Sequence, residues 1–108
     1  MKIELYGRNI KLDEPLKIFV EDKIGGLERF VGQGPIEARV EIGLPSKHHR
    51  SGRIYYAEVN LKIGGKLLRA TCQHEDLRNA IVDVRNELQG EIKKFKDKKR
   101  DLSRRIDT

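Results

Sequence analysis

The last third of the chain carries the pattern that most constrains what it can fold into. From Leu77 onward, apolar residues recur at intervals of three and four positions, the spacing of one buried face of an α-helix. The members of this apolar stripe are Leu77, Ala80, Ile81, Val84, Leu88, Ile92 and Phe95. A helix with such a stripe must pack on a second apolar surface, so the rest of the chain has to supply one.

Charges on the same predicted helix are sorted by sign around its circumference. At about 100° per residue, one flank of the stripe collects cations and the other collects acids. The first flank carries Arg78, Arg85, Gln89, Lys93, Lys96 and Arg100; the second carries Asp76, Asp83, Glu87 and Glu91, together with two exceptions, Lys94 and Lys98. Opposite charges on an ordinary exposed helix are more often interleaved as supporting pairs. The sorting therefore predicts a basic ridge that meets phosphates, which favours RNA.

Composition is consistent with a polyanionic partner. The 108 residues suit one domain, and 37% hydrophobic with 37% charged residues implies a thin core under a densely charged surface. A net charge of +6 favours nucleic acid or an acidic membrane face. We expect no signal peptide or membrane span and a cytoplasmic location, because the chain has no long apolar run. The single cysteine, Cys72, excludes an internal disulfide, and its strand-like surroundings favour a buried structural thiol.

The earlier part of the chain alternates between strand and helix patterns. Ile3 and Leu5 alternate with polar neighbours in a short strand, and Asp13 is a good N-cap for a helix that follows. The stripe of that helix is Leu16, Phe19, Val20, Ile24, Leu27 and Val31, with a weak point at Gly25–Gly26 and a stop at Gly32, Gly34 and Pro35. Further strands are predicted at 36–44, 57–63 and 68–72, the last two joined by a two-residue turn at Gly64–Gly65.

This order predicts an α+β fold, a two-layer α/β sandwich of the form β-α-β-β-β-α. We expect a four-stranded mixed sheet with two helices packed on one face, similar to a double-stranded-RNA-binding domain. The first two strands should be parallel, with a right-handed crossover, and the later strands antiparallel. Residues 1–100 are predicted to form a single α/β domain, and residues 101–108 a short, flexible basic tail.

Two histidine-containing segments were considered as sites of chemistry. His48 and His49 stand beside Lys47 and Arg50, but adjacent histidines on a loop without a Cys/His cluster are more typical of a solvated loop than of a metal site. The run from His74 to Asp76 lacks an accompanying nucleophile or phosphate-binding glycine motif, so a helix cap explains it more simply than acid–base catalysis. We therefore expect no catalytic residue, cofactor, metal or small-molecule substrate.

Two stretches carry a family resemblance that covers nearly the whole chain. They run from Ile3 to Phe30 and from His74 to Lys98, and the most specific piece is His74-Glu75-Asp76-Leu77 followed by Ala80-Ile81. With the strand and helix order, these stretches resemble the ribosome hibernation promoting factors, also known as the protein Y or sigma-54 modulation family. The resemblance implies a non-catalytic protein that binds the small ribosomal subunit and its rRNA, alone or in the whole ribosome. It would lie in the mRNA and tRNA channel near the decoding region, block translation, and stabilise inactive ribosomes during stress or stationary phase.

The resemblance also implies which residues bind RNA. Positions that match family contacts are Lys23, Arg29, Lys93, Lys94, Lys96 and Lys98. The chain departs from the family pattern at Gly25–Gly26, at Gln73 and across Glu87 to Glu91, and Arg78, Arg85 and Arg100 on the basic flank can compensate. Lys17 is a further candidate on the first helix. Binding through phosphates should release counterions, be sensitive to salt, and read little base sequence.

Several alternatives stay open from the sequence. The end of the chain and its basic tail indicate a short-form factor, which we expect to be monomeric off the ribosome; whether it pairs ribosomes or only silences single ones is left open. The main rival is a general double-stranded-RNA-binding module, which reads duplex shape. A second rival is an interaction protein whose basic ridge meets an acidic protein. Three aromatic residues, Phe30, Tyr55 and Tyr56, are predicted to pack rather than to stack on bases.

Overall fold

The order of helices and strands follows the predicted one, with a short extra helix after the first. The computed structural model describes residues 1–32, 34–46 and 52–106, with side chains described up to Asp101. The elements are β1 (Lys2–Arg8), α1 (Glu14–Gly25), α2 (Glu28–Val31), β2 (Ile36–Gly43), β3 (Tyr55–Ile63), β4 (Lys66–His74) and α3 (Leu77–Ile106). The predicted α+β fold is confirmed.

The four strands form one mixed sheet in the order β1-β2-β3-β4. The strands β1 and β2 are parallel, whereas β2–β3 and β3–β4 are antiparallel pairs. In the central register, Val40 of β2 lies between Leu5 of β1 and Val59 of β3. The outer strands β1 and β4 are therefore the sheet edges, and the predicted strand pairing is confirmed.

The core lies between one face of the sheet and the helices. On β2, Ile36, Ala38, Val40 and Ile42 are buried while Glu37 and Arg39 are exposed, the alternation that the sequence predicts for a strand with one wet face. The helices supply the opposite half of the core through Val20, Ile24, Leu27, Ile81, Val84, Leu88 and Ile92. Burial of each such side chain contributes about 1.5–3 kcal/mol to folding. Both predicted apolar stripes are thus core.

The first helix differs from the sequence prediction, which ran it to Val31 without a break. The α1 helix ends at Gly25, because the glycine pair has low helix propensity and the backbone tightens there. The Leu27 N–H donates to the carbonyl of Ile24 at 3.0 Å, and the side chain of Leu27 is fully buried. The chain then resumes as the single turn α2, which packs beside α3.

The α3 helix begins as predicted and ends later than predicted. The Asp76 carboxylate accepts from the Asn79 N–H at 3.1 Å, and His74 Nδ1 accepts from the Asp76 N–H at 2.9 Å. These bonds support the interpretation of the His74–Asp76 segment as a helix start. The helix continues to Ile106, into the stretch that was predicted as a tail. Among the side chains described, up to Asp101, the last ones of the stripe to pack in the core are Ile92 and Phe95.

Two glycines fix the ends of the sheet. The β3–β4 turn is the predicted two-residue hairpin, with φ of 59° at Gly64, and it sets Ile63 opposite Lys66. At the other end, Gly43 has φ of 151°, and a Cβ there would overlap the carbonyl oxygen of Arg8. The Leu44 N–H donates to this same oxygen at 2.9 Å, which joins the ends of β1 and β2.

Candidate nucleic-acid interface

Basic residues from α1, α2 and α3 meet in a groove between the helices. The flank of α3 that the helical wheel predicts to be basic faces α1 and α2. We define the α1–α3 groove by its cations, which are Lys23, Arg29, Arg78, Arg85, Lys93, Lys96 and Arg100. Three contacts along its length show how the fold holds these charges.

At the first contact, two cations from different helices lie over the ring of Phe19. Lys23 Nζ lies 5.6 Å from the ring centroid, and the Arg78 guanidinium carbon lies 5.0 Å from it. Lys23 stands one turn after Phe19 on α1, whereas Arg78 comes from the start of α3. Because the electron-rich ring face attracts each cation, it partly offsets the repulsion between them. The half-buried Phe19 side chain therefore acts as a platform at this end of the groove.

In the middle of the groove, three cations surround a recess of about 300 Å³. Lys23, Arg29 and Arg85 line it together with Asp22, Gly26 and Val82. The half-buried Arg85 donates from Nη1 to Asn86 Oδ1 at 2.9 Å. Lys23 Nζ lies 3.7 Å from the Asp22 carboxylate. The break between α1 and α2 thus opens this recess, because Gly26 adds no side chain to it.

At the far end, α2 and α3 are joined through Phe30. The Arg29 guanidinium carbon lies 4.8 Å from the Phe30 ring centroid, and Lys96 Nζ donates to the Phe30 carbonyl at 3.1 Å. A cation at the last carbonyls of a helix also interacts favourably with the helix dipole. Lys93, Lys96 and Arg100 line a wider part of the groove, of about 770 Å³, with Phe30 and Ile92 beneath them.

Most of these cations keep their charge available. Lys23 is paired with Asp22, and Arg100 with Asp97 at 3.2 Å. Among the side chains described, up to residue 101, no carboxylate lies within ion-pair distance of Arg29, Arg78, Arg85, Lys93 or Lys96. Aromatic rings orient Arg29 and Arg78, and a backbone carbonyl orients Lys96, and neither kind of group neutralises the positive charge. The groove can therefore present several fixed positive groups to phosphates.

The predicted RNA-binding residues divide between the two flanks of α3. The α1–α3 groove brings together Lys23, Arg29, Arg78, Arg85, Lys93, Lys96 and Arg100. Lys94 and Lys98 lie on the other flank, beside β4, as the helical wheel predicts. Lys94 Nζ is 3.6 Å from the Glu91 carboxylate. Lys17 is exposed on α1 and does not line the groove. An RNA-binding role for all of these residues stays a prediction.

The aromatic platforms were missed at the sequence level. Phe19 was counted only as a member of the apolar stripe, although its spacing of four from Lys23 is a local signal for a cation–ring contact. The contact with Arg78 has no local signal, because it joins two distant parts of the chain. Phe30 packs against the core, as predicted, and also carries Arg29. Tyr56 is buried as predicted, and its hydroxyl donates to Glu41 at 2.9 Å.

The opposite flank of α3 encloses the cysteine. The Cys72 thiol donates to a Glu87 carboxylate oxygen at 3.0 Å. Burial raises the pKa of the Cys72 thiol to about 12, and the hydrogen bond to Glu87 and the negative charges of Glu87 and Asp83 act in the same direction. The thiol therefore stays protonated near neutral pH. This environment is that of an inert cysteine, as the sequence predicts, although the side chain is half-buried and not fully buried.

The described part of the chain also bears on metal sites and membrane spans. There, no group of three or more His, Cys, Asp or Glu side chains is placed to hold a metal ion. His48 and His49 lie outside the described residues. No helix in the described ranges has the length and apolar character that a membrane span requires.

Comparisons with known proteins agree with this architecture. The chain is 33% identical over 95 residues to the ribosome hibernation promotion factor of Deinococcus radiodurans, covering 86% of this chain and 48% of that protein. It is also 33% identical over 98 residues to the factor of the same name from Bacillus subtilis, covering 91% and 50%. The chain thus spans about half the length of these curated relatives.

Solved structures show the same fold. The protein Y N-terminal domain of Thermus thermophilus matches with a TM-score of 0.76 and 29% identity, over 88% of this chain and 99% of that one. A ribosomal subunit interface protein from Coxiella burnetii shares the fold with a TM-score of 0.70 at 16% identity, over 90% of this chain and 99% of that one. The model of one family, described as Sigma 54 modulation protein / S30EA ribosomal protein, matches residues 3–100. Taken with the relatives, this match shows that the chain belongs to the Sigma 54 modulation protein / S30EA ribosomal protein family.

Proposed function

We propose that this protein is a ribosome hibernation factor that binds the small ribosomal subunit in the mRNA and tRNA channel near the decoding region. The observation that carries the proposal is the α1–α3 groove, in which cations from three helices come together and five of them, Arg29, Arg78, Arg85, Lys93 and Lys96, have no carboxylate within ion-pair distance among the described side chains. The names of the relatives, ribosome hibernation promotion factors, support the choice of the ribosome as the partner. Those names describe a state of the ribosome and not a reaction, which supports a protein that is not an enzyme.

The proposed mechanism is occlusion. Fixed guanidinium and ammonium groups in the groove bind rRNA phosphates, and the released counterions contribute most of the affinity. Because phosphates carry no sequence information, selectivity has to come from the shape of the assembled RNA. A domain held in the channel excludes mRNA and tRNA, which blocks translation and stabilises the inactive ribosome under stress or in stationary phase. The proposal includes a cytoplasmic location and a monomer off the ribosome.

Co-sedimentation on sucrose gradients tests this function. The purified protein is mixed with small subunits, large subunits or whole ribosomes, with and without excess tRNA, at several salt concentrations. We expect it to migrate with small subunits and whole ribosomes. This binding should weaken steeply as salt rises, and it should decrease when tRNA occupies its sites.

The same experiment separates the competing functions. A general double-stranded-RNA-binding module would bind a plain RNA duplex as tightly as it binds subunits, and tRNA would compete only as bulk RNA. A protein that recognises an acidic protein partner would bind neither the subunits nor the RNA duplex. RNase treatment would not change its binding to that partner. Either result would reject the proposed hibernation function.

A further inference from the structure

The row of cations on the groove side of α3 is interrupted by a short uncharged stretch. Asn86, Gln89 and Gly90 line the α1–α3 groove between the cations Arg85 and Lys93. Those two cations lie about 12 Å apart along the helix axis. A groove that bound only phosphates would gain affinity from a further cation in this interval. We call Asn86, Gln89 and Gly90 the neutral gap.

Gly90 lies near the middle of α3, where the fold itself does not require a glycine. A Cβ at this position would meet nothing within 4 Å among the described residues, and the backbone does not have a positive φ. Apart from proline, glycine is the least favourable residue in a helix interior, so alanine would suit the free helix better. A glycine that folding does not need is typical of a place where a ligand approaches the backbone closely.

The amides of the neutral gap can both donate and accept hydrogen bonds. Gln89 is half-buried, and within the described residues its amide has no hydrogen-bond partner. Asn86 Oδ1 accepts from Arg85 Nη1 at 2.9 Å, which leaves the Asn86 NH2 group available. Phosphate oxygens only accept hydrogen bonds, whereas the edges of bases offer donors and acceptors together. The pair of amides therefore matches the edge of a base better than a phosphate.

Beneath the neutral gap, the groove has an apolar floor. The half-buried Phe30 and the buried Ile92 line it, in a volume of about 770 Å³. Asp97, the carboxylate among the described lining residues, is paired with Arg100 at 3.2 Å. Unpaired bases in RNA complexes lie with their flat faces on apolar or aromatic side chains and with their edges on polar groups. This part of the groove offers both kinds of surface.

We propose that the neutral gap binds one unpaired base of the RNA, which lies over Gly90 and forms hydrogen bonds through its edge with Gln89 and Asn86. Phosphates on either side of this base then lie at Arg85 and Lys93. The inference rests on the proposed function and deepens it, because it adds a base contact to a selectivity that otherwise comes from RNA shape. Folded rRNA offers unpaired bases in its loops and a plain duplex does not, which gives a physical reason for preferring ribosomal subunits.

Equilibrium binding to purified small subunits across a range of KCl concentrations tests this proposal. Gln89→Met removes the amide and keeps the length of the side chain, whereas Gly90→Ala adds one methyl group to the surface. Gly25→Ala is the matched control, because Gly25 does not line the groove and a Cβ there would meet Ile3 Cδ1 at an ordinary 3.8 Å. Melting curves of all variants show whether the fold is intact.

We expect Gln89→Met to bind about tenfold more weakly with an unchanged slope of log affinity against log salt, because a base contact releases no counterions. Lys93→Gln, which removes a phosphate contact, should instead lower this slope by about 1. Gly90→Ala should melt roughly 4 °C higher and yet bind at least about fivefold more weakly, because the added methyl group holds the base away from the helix. Gly25→Ala should bind within about twofold of the unmodified protein.

Chemical probing of the rRNA in the same complexes identifies what covers the neutral gap. Dimethyl sulfate and a water-soluble carbodiimide modify the edges of unpaired bases. At saturating concentration, the unmodified protein should protect at least one such base, and Gln89→Met should leave that base reactive. This readout distinguishes a base from a protein surface, since either could contact Gln89 without changing the salt slope.

Four outcomes decide the matter. If the unmodified protein binds subunits and either Gln89→Met or Gly90→Ala keeps full affinity, the base contact is refuted while the proposed function stands. A lowered salt slope for Gln89→Met would also refute it, because the lost contact would then be to phosphate. Weaker binding without any change in base reactivity would assign the neutral gap to a protein surface. If the unmodified protein fails to bind subunits at all, the proposed function fails first.

Discussion

The two flanks of α3 carry similar numbers of charges but hold them in different ways. On the flank facing α1 and α2, cations rest on aromatic rings or donate to a backbone carbonyl, as Arg78 does at Phe19 and Lys96 at Phe30. On the flank facing β4, acidic groups predominate in the first half, where Glu87 accepts from the Cys72 thiol. Lysines follow in the second half, and Lys94 pairs with Glu91.

This difference shows that the sign of a charge and its availability have separate causes. The period of the sequence decides the flank on which a charge falls. The neighbouring helices decide whether that charge is neutralised. Because α1 and α2 place the rings of Phe19 and Phe30 and only one paired carboxylate, Asp22, beside α3, the α1–α3 groove keeps a concentrated positive charge on a rigid frame.

The largest expected effect comes from a core substitution that unfolds the domain and so disrupts both flanks of α3. Leu88 is fully buried at the centre of the apolar stripe, so Leu88→Asp places an unpaired carboxylate in the core. We expect a loss of at least about 4 kcal/mol in the free energy of unfolding, and a much lower melting temperature. Urea and thermal melting measure this, and Asn86→Asp, at an exposed position, is the control that should melt normally. A normal melting curve for Leu88→Asp would show that the stripe has been misassigned.

Most of the fold was predictable from the sequence because its signals are local. The stripe of α3, the alternation in β2 and the hairpin at Gly64–Gly65 each depend on residues within one element. For the break after Gly25, the sequence predicts only a weak point in the first helix. It does not show that a tight turn can bury Leu27 there. Strand pairing followed from the order of the elements.

The candidate site was predictable only in part. The wheel assigned Arg85 and Lys96 to the correct flank, because direction around a helix is a local property. The family resemblance names Lys94 beside Lys96 as an RNA-binding position, because a sequence motif records position along the chain and not direction around the helix. The contact of Arg78 with Phe19 depends on tertiary packing and has no local signal.

The next effect in size concerns the β4 flank and its half-buried thiol, Cys72. We expect alkylation of Cys72 by iodoacetamide at pH 8 to be at least about a hundredfold slower in the folded than in the urea-unfolded protein, because only the thiolate reacts. Folding raises the pKa from 9.0 to about 12, so the stability gained from the protonated thiol is present below pH 9 and is lost as pH rises toward 12. Glu87→Gln removes one of the causes and should speed the reaction. Equal rates for the folded and unfolded protein would contradict the described environment of Cys72.

A smaller effect tests whether the aromatic rings in the α1–α3 groove contribute to binding. Phe19→Leu keeps most of the apolar volume but removes the platform under Lys23 and Arg78, so we expect binding to small subunits to weaken about three- to tenfold with a stability change below about 1.5 kcal/mol. Tyr6→Leu is the matched control, because it removes a similar contact with Arg39, at 4.8 Å, on the open face of the sheet. Equal affinities for the two variants would show that ring platforms in the groove do not organise the binding surface.

The most direct test of the account is charge reversal in the α1–α3 groove, measured by co-sedimentation with small subunits. Arg85→Glu/Lys93→Glu/Lys96→Glu should abolish co-sedimentation and leave the melting curve nearly unchanged, because all three side chains lie off the apolar stripe. Lys2→Glu/Arg39→Glu/Lys62→Glu changes the net charge equally on the open face of the sheet, outside the groove, and should keep most of the binding. Full co-sedimentation of the folded groove variant, or equal loss in both variants, would contradict the claim that this groove is the RNA-binding surface.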